Sequence, residues 1–262
     1  MRTKLTNAHA AIISKFEAYE SNAVANTLFQ LESCAWGHGE QEITGGISKT
    51  DFVSLYTEQM VKSTSGRIYY DSLMMLAPLE KCPFCGFGQV TTLDHFLSKA
   101  YYPVFSVLPS NLVPACGDCN KSKGTSVVNQ DTQIPHPYFV EDIVATDQWL
   151  FAEVNETIPL TINYLVRPPN SWPNDLSRRV NNYFDSLDLA RRFAIEAASE
   201  VVALSDYLCE IDTANDRRDH LLRAAGVETR RWINSWRAAL FIALSQSDWF
   251  RDVGYRLGRN VI

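Results

Sequence analysis

The sequence has no long hydrophobic segment, no internal repeat and no low-complexity segment. A transmembrane helix needs about 18 consecutive apolar residues, and no run of that length occurs in the chain. The N-terminal segment contains Lys15, Glu17 and Glu20, where a signal peptide would need an unbroken apolar stretch. We therefore expect a cytoplasmic protein without a membrane segment, and a repeat architecture is excluded.

Lysine is absent after Lys123, and the whole chain is acidic, with a net charge of -6. Binding to phosphate groups depends on lysine and arginine, so this charge predicts weak affinity for nucleic acid when the protein acts alone. Residues 81–126 are locally basic. They contain Lys81, Lys99, Lys121 and Lys123 against Asp94 and Asp118. Contacts with nucleic acid are therefore expected from this segment, through Lys99, Lys121 and Lys123.

Four of the six cysteines form two CxxC pairs, CPFC at 82–85 and CGDC at 116–119. Each pair has the spacing that a tight turn needs to offer two adjacent ligands to a tetrahedral metal ion. In a chain without an export signal this pattern favours zinc over disulfides. We predict a structural zinc ion, without a chemical role of its own, held by Cys82, Cys85, Cys116 and Cys119. Cys34 and Cys209 lie far from the pairs and are expected to be small buried apolar residues.

The spacing of apolar residues predicts helices at both ends of the chain and little helix in the middle. Ser48 with Asp51 three residues later predicts the cap of a helix. The pieces QVTTL and VFSVL predict short strands, and QWLFAEV with IPLTINYLV predicts a strand pair with Asn155 and Glu156 in its turn. The predicted fold is mostly α with a small α+β insert. Its segments are a helical region at 1–80, a metal module at 81–145, a strand pair or linker at 146–170 and a helical region at 171–262.

Between the CxxC pairs the sequence reads LDHFLSKAYYPVFSVLPSNLVPACGDCNKSKG, and here it resembles the HNH endonucleases of the ββα-metal fold. The match covers Cys82 to Gly124, under a fifth of the chain. It consists of CxxC, Asp-His on the first strand, Asn-Leu-Val-Pro-x-Cys, and Cys-Asn-x-x-Lys-Gly at the start of a helix. The third family position is usually histidine and here is Asn120, which makes the site similar to an HNN variant. The resemblance implies a zinc-stapled ββα-metal module between two helical regions.

The resemblance also implies a role for each polar residue of the motif. His95 would be the general base, Asp94 and Asn120 would bind a catalytic Mg²⁺ or Mn²⁺ ion, and Asn111 would fix the loop and orient the histidine. Histidine titrates near neutral pH, and carboxylate and amide oxygens are hard ligands that suit Mg²⁺. Adjacent strand residues point to opposite faces, so spacing alone does not bring Asp94 and His95 to one metal ion unless the strand is irregular.

His136 follows the module in the motif HPYF, between two prolines that fix an extended backbone. One interpretation is that it reaches the site as a phosphate contact or an additional metal ligand. The alternative is a structural histidine that bonds to the backbone.

The function that the resemblance implies is metal-dependent cutting or nicking of DNA, leaving a 5′-phosphate and a 3′-hydroxyl. Compact HNH proteins with a knuckle, HPYF and a helical tail look like effectors of prokaryotic anti-phage systems, paired with an ATPase or sensor protein. Two alternatives stay open at this point. One is a non-catalytic zinc adaptor without Mg²⁺ dependence. The other is a ribonuclease with the same site, in which Tyr101 and Tyr102 would stack on bases. The sequence determines neither the oligomeric state nor the sequence specificity.

Overall fold

The computed structural model describes residues 1–260, which are mostly helical with small two-stranded sheets. The predicted fold class is thereby confirmed. The chain divides into two compact units, Met1–Val140 and Glu141–Ile262, which we call the N-terminal unit and the C-terminal unit. The predicted helical region at 1–80 and most of the predicted metal module lie together in the N-terminal unit. None of the described helices combines the length and the apolar composition that crossing a bilayer requires.

Helices and two strand pairs make up the N-terminal unit. Helices α1 to α4 span Arg2–Val24, Lys49–Ser54, Thr64–Met74 and Gly117–Lys123, and a π-helical segment, Leu55–Lys62, continues α2. The antiparallel pairs are β1 (Glu42–Thr44) with β2 (Ile47–Ser48), and β3 (Thr92–His95) with β4 (Leu112–Ala115). Short 3₁₀ turns span Leu28–Gln30, Pro78–Glu80, Pro103–Phe105 and Pro109–Asn111.

Local sequence signals explain two features of this unit. The Ser48 hydroxyl accepts a hydrogen bond from the Asp51 amide, and the Asp51 carboxylate accepts one from the Ser48 amide, which confirms the predicted helix cap. The strand predicted for VFSVL is wrong. The segment lies in and after the turn Pro103–Phe105, and the chain turns again at Pro109–Asn111. A proline begins each turn, where its fixed φ is compatible and it has no amide to donate to a sheet.

The hairpin β3–β4 is fixed on the helices by a buried cluster. Its members are Tyr56, Met60, Tyr70, Leu93 and Leu112. Leu93 and Leu112 come from the two strands, whereas the other three come from the π-helical segment and α3. Burying a large apolar side chain contributes roughly 1.5–3 kcal/mol. The strand that carries Asp94 and His95 is therefore held by tertiary packing, since a two-stranded hairpin alone is marginally stable.

In the C-terminal unit a strand pair packs with helices. The helices α5 to α10 span Asp142–Thr146, Asn174–Ser186, Leu189–Leu208, Ala214–Arg231, Trp236–Gln246 and Asp248–Asp252, followed by a 3₁₀ turn at Gly254–Asn260. The predicted strand pair is confirmed as β5 (Leu150–Asn155) with β6 (Thr161–Val166). Asn155 is not in the turn as predicted, because it pairs with Thr161.

Candidate active site and metal centre

The four cysteines of the two CxxC pairs come together in one buried cluster. The sulfur atoms of Cys82, Cys85, Cys116 and Cys119 all lie within 4.8 Å of one another. The Sγ atoms of Cys85 and Cys116 are 3.8 Å apart. Zn–S bonds of about 2.3 Å in a tetrahedron require an edge of about 3.8 Å between sulfurs, whereas a disulfide requires about 2 Å. The donor set and its spacing therefore fit a four-cysteine zinc ion.

Two local turns build this cluster. At the first pair, the Gly86 amide donates to the Cys82 carbonyl over 2.7 Å, and Gly86 adopts a φ of 76°, which glycine tolerates best. The Gly88 amide donates to the Cys85 sulfur over 3.3 Å. A Cβ atom on Gly88 would lie 2.9 Å from both Cβ and Sγ of Cys116, so a side chain there would displace a ligand. At the second pair, Cys116 caps α4 by accepting from the Cys119 amide.

Asp94 and His95 are the last two residues of β3, and both are buried. They pair in regular register with Val113 and Leu112 of β4, without a bulge. In keeping with strand alternation, their side chains contact different elements. Asp94 faces Lys123 of α4, whereas the His95 ring packs edge-on against the Tyr56 ring at 4.4 Å. The irregularity that would turn both side chains to one face is therefore not present in β3.

The His95 ring has one nitrogen anchored. Its Nε2 atom lies 2.9 Å from the carbonyl oxygen of Ser106, and because a carbonyl only accepts, Nε2 carries the proton. The neutral ring then keeps a lone pair on Nδ1. Burial, as the main cause, together with the nearby Lys99 and Lys123 charges lowers the pKa of His95 to about 3, against the opposing effect of the Ser106 bond. The ring is therefore neutral near pH 7, with Nδ1 as its basic atom.

Asp94 and Lys123 form a buried ion pair. The distance from Lys123 Nζ to Asp94 Oδ2 is 3.0 Å, and the two side chains are 13% and 4% exposed. The same ammonium donates to the backbone carbonyl of His95 over 2.8 Å. Burial raises the pKa of the Asp94 carboxyl, and the Lys123 charge opposes that shift. Within the described residues Oδ2 accepts no well-aligned hydrogen bond. Its charge is therefore balanced by Lys123 through the ion pair.

Asn111 holds the loop that follows β3. Its Oδ1 accepts from the Leu97 amide over 2.7 Å, and its Nδ2 donates to the carbonyls of Leu97 and Phe105, each over 3.1 Å. Phe105 directly precedes Ser106, whose carbonyl anchors His95. The side chain of Asn111 is fully buried. A substitution of Asn111 would therefore shift the Ser106 carbonyl, which orients the His95 ring.

His136 belongs to a buried chain of hydrogen bonds instead of the site's surface. Its Nδ1 accepts from the Tyr138 amide over 3.1 Å, so Nε2 carries the proton and donates to the Tyr19 hydroxyl over 3.1 Å. Tyr19 in turn donates to Asn111 Oδ1 over 3.0 Å. The His136 ring also packs on the Phe96 ring at 4.0 Å. Both ring nitrogens are engaged, so the geometry favours the structural interpretation over a phosphate contact or metal ligand.

The other residues predicted for the site are Asn120, Lys121, Lys99 and Lys123. Asn120 is half-buried on α4, one turn before Lys123 and so on the same helix face, whereas Lys121 is exposed. The Lys99 ammonium lies 4.5 Å from the centre of the Tyr56 ring, which contacts His95. Lys123, predicted as a phosphate contact, has its ammonium turned inward to Asp94.

Tyr19, Tyr56 and Ser106 were missed by the sequence reasoning. Tyr19 contacts Asn111 and Tyr56 contacts His95 from distant parts of the chain, whereas Ser106 contacts His95 from the loop between β3 and β4. Tyrosine on an apolar helix face is typical of ordinary core packing, and a lone serine in a turn is common. No spacing pattern links them to the DH motif, so the sequence carried no signal for them.

His136 should make the stability of the N-terminal unit depend on pH. Burial lowers its pKa to about 3, whereas an unfolded histidine titrates at about 6.5. As the pH falls below about 6.5 the unfolded chain binds a proton that the folded chain does not, so stability is lost towards pH 3. Between about pH 7.5 and about pH 5.5 His136 alone should contribute a loss of about 1.4 kcal/mol. Replacing it, His136→Gln, should remove that part of the loss.

Urea unfolding of the zinc-loaded protein at the two pH values measures this effect. The matched control is His9→Gln, because His9 is an exposed histidine of α1. It should keep the pH dependence of the parent, including any contribution from the zinc ligands. Equal pH dependence in the parent and in His136→Gln would show that His136 is not buried in its neutral form.

The comparisons with known proteins relate the chain to a protein of a phage. No model of a known protein family matches the chain, and no solved structure matches it. The chain is 32% identical over 229 residues to protein ea31 of Escherichia phage lambda, an alignment that covers 80% of this chain and 77% of ea31. Identity at this level over most of both chains implies common descent and a shared fold. The chain therefore belongs to the family of the phage lambda protein ea31.

Proposed function

We propose that the protein is a metal-dependent endonuclease of the HNH type that hydrolyses phosphodiester bonds in DNA. The observation that carries this proposal is the neutral His95 ring, anchored through Nε2 to Ser106, directly after the buried carboxylate of Asp94. The hairpin that bears both residues runs from one half of the four-cysteine cluster to the other. This combination supports the family resemblance of the segment from Cys82 to Gly124.

His95 acts as the general base in this proposal. A general base must keep a free lone pair at the pH of the reaction and hold a fixed orientation. The bond from Nε2 to the Ser106 carbonyl fixes the ring, and burial keeps it neutral, so Nδ1 accepts the proton of the attacking water. Attack on phosphorus then breaks the bond to the 3′-oxygen, which takes a proton from solvent water, so the products are a 5′-phosphate and a 3′-hydroxyl.

The carboxylate of Asp94 and the amide oxygen of Asn120 fit a hard divalent cation such as Mg²⁺ or Mn²⁺. The fit rests on the buried carboxylate of Asp94, whose Oδ2 lies 3.0 Å from Lys123 Nζ but accepts no well-aligned hydrogen bond among the described residues. Asn120 lies on the α4 face that also carries Lys123, the partner of Asp94. A divalent ion held there supplies stabilisation of the negative charge that develops on the phosphate and on the leaving oxygen.

Recruitment by a partner is part of the proposal. The net charge of -6 predicts weak electrostatic attraction to DNA. The resemblance implies an ATPase or sensor protein as partner and defence against phage as the biological role. Nicking that becomes faster when the partner ATPase is added would support this role, and equal rates at every ATPase concentration would count against it.

Nicking of supercoiled plasmid at low ionic strength tests the nuclease directly. The zinc-loaded protein should nick with Mg²⁺ or Mn²⁺ and not with EDTA, provided that elemental analysis shows the zinc retained. His95→Ala should lower the rate about 10²- to 10⁴-fold, the range for loss of a general base. His9→Ala, a change at an exposed histidine of α1, is the control and should leave the rate unchanged.

Two results would contradict the proposal. Cutting that persists at full rate in His95→Ala would mean that another group is the base. Zinc-loaded protein that leaves DNA intact under every metal condition would remove the DNA nuclease, and RNA becomes the next substrate. If RNA also survives, the zinc adaptor becomes the better interpretation.

A further inference from the structure

The exposed ring of Trp36 and the half-buried ring of Tyr101 form a pair at the loop that follows β3. Trp36 is 63% exposed, and its ring centre is 5.6 Å from that of Tyr101 at an interplanar angle of 47°. Tyr102, by contrast, is buried with 1% exposure, so it does not present a ring to a ligand. The stacking role considered for Tyr101 and Tyr102 therefore changes, because Trp36 replaces Tyr102 as the second ring.

Backbone contacts hold the loop that carries Trp36. The Cys34 amide donates to the Tyr101 carbonyl over 2.8 Å. On the other side of Cys34, the buried Lys49 ammonium donates to the Ala35 carbonyl over 2.8 Å. These two bonds fix the chain immediately before Trp36 to the loop after β3 and to the start of α2. The exposed ring thus lies on an anchored loop. Because the loop is already ordered, a stacked ligand would cost less conformational entropy on binding.

The loop that follows β3 runs from the proposed active site to Tyr101 of this pair. The His95 ring contacts the Tyr56 ring at 4.4 Å, and the Lys99 ammonium lies over Tyr56 at 4.5 Å. Tyr101 follows Lys99 by two residues, in a turn closed by the bond from its amide to the Ser98 carbonyl. Lys99 and then Tyr101 therefore follow His95 along the loop, and Trp36 contacts Tyr101 from a separate segment of the chain. Single-stranded nucleic acid offers phosphates and base faces that match a cation followed by rings.

We infer that Trp36 and Tyr101 form a stacking platform for an unpaired base of the DNA strand that is bound at His95. The inference rests on the proposed function and narrows its substrate to single-stranded or locally unpaired DNA, because a base inside a duplex is not free to stack on a protein ring. A protein partner fits this surface less well. Gly37, His38 and Gly39, the residues after Trp36, offer no apolar side chains to extend the contact.

Binding of short DNA strands tests the platform without cleavage. The probes are a fluorescent thymidine strand of about 12 nucleotides, an abasic strand of equal length and charge, and a duplex of equal length. Anisotropy is measured with full-length, zinc-loaded protein carrying His95→Ala, without added Mg²⁺. We expect the thymidine strand to bind more tightly than the other two probes. Trp36→Ala should weaken its binding about 5- to 100-fold, the range for loss of one stacked base.

The controls separate stacking from charge and from folding. Trp36→Ala should leave the abasic strand unaffected, and Trp36→Phe should retain most of the affinity for the thymidine strand. Trp232→Ala, at a 39% exposed tryptophan of the C-terminal unit, should change neither. The inference is overturned if the thymidine and abasic strands bind equally, or if Trp36→Ala weakens both alike.

The plasmid assay tests the nuclease independently of the binding assay that tests the platform. Base-dependent binding through Trp36 in a protein that cuts no DNA would remove the nuclease and keep the platform. Mg²⁺-dependent nicking with equal binding of the thymidine and abasic strands would keep the nuclease and remove the platform.

Discussion

Replacing Cys119 with serine is expected to unfold the N-terminal unit and to release its zinc. Cys119 is fully buried in the four-cysteine cluster and belongs to α4, which also carries Lys123 and Asn120. A structural zinc ion contributes on the order of 10 kcal/mol to folding, which is as large as the whole stability of a typical domain. Elemental analysis should show one zinc per parent chain and a fraction of that in Cys119→Ser. Limited proteolysis should cleave residues 1–140 in the variant far faster.

Cys34→Ser is the matched control for this result. Cys34 lies in the same unit, is half-buried and sits outside the cluster, with its sulfur 3.8 Å from the Ala100 carbonyl. It should keep full zinc and resist protease like the parent. Cys119→Ser protein that retains its protease resistance without zinc would mean that the cluster is not what holds the unit together.

The cysteine cluster and the cap of α2 were predictable because their signals are local. Each CxxC pair makes its turn within four residues, and Ser48 with Asp51 makes its contacts within one helical turn. The interacting groups there are close neighbours in sequence, so the spacing of the residues is enough to predict the contacts. The two CxxC pairs are far apart in sequence, but binding one tetrahedral metal ion requires that they lie together in the structure.

The surroundings of His95 were not predictable in the same way. Tyr56 and Ser106 reach the ring through packing of the hairpin on the helices, and Tyr19 reaches Asn111 from α1 across 92 positions of sequence. Contacts of this kind depend on tertiary structure, and residue types that are common in any core give no distinct signal. The placement of His136 has the same cause. Its prolines predicted an extended backbone, but two partners of its ring are distant in sequence, Tyr19 of α1 and Phe96 directly after β3.

Lys123 shows how burial changes the meaning of a residue. From the sequence it is one of two lysines at the end of a basic segment, and a solvated lysine there would contact phosphate. In the structure Lys121 is exposed, whereas Lys123, two positions later on α4, turns its ammonium to Asp94 and to the His95 carbonyl. Side chains that are two positions apart on a helix point in very different directions. The two lysines therefore have different environments and should respond differently to substitution.

Lys123→Met is expected to destabilise the N-terminal unit by about 3–5 kcal/mol, the range for leaving one partner of a buried ion pair uncompensated. Methionine keeps most of the apolar length of lysine, so the loss should come from the charge left on Asp94. The double variant Lys123→Met with Asp94→Asn should recover most of the stability, because it removes that charge. Lys121→Met, an exposed change in the same helix, is the control and should shift stability by less than about 0.5 kcal/mol. Urea unfolding of the parent, Lys123→Met, Asp94→Asn and the double variant gives the coupling energy between the two residues.

The same variant connects stability with the proposed metal site. If Asp94 binds a divalent ion, Lys123 and that ion neutralise the same carboxylate, so the ion should matter more when the lysine is gone. The midpoint of thermal unfolding of Lys123→Met should therefore rise more on addition of Mg²⁺ than that of the parent, by the linkage between binding and stability. The double variant, which lacks the carboxylate, should not respond. A Lys123→Met protein that Mg²⁺ fails to stabilise would argue against Asp94 as a metal ligand, whether or not the protein cuts DNA.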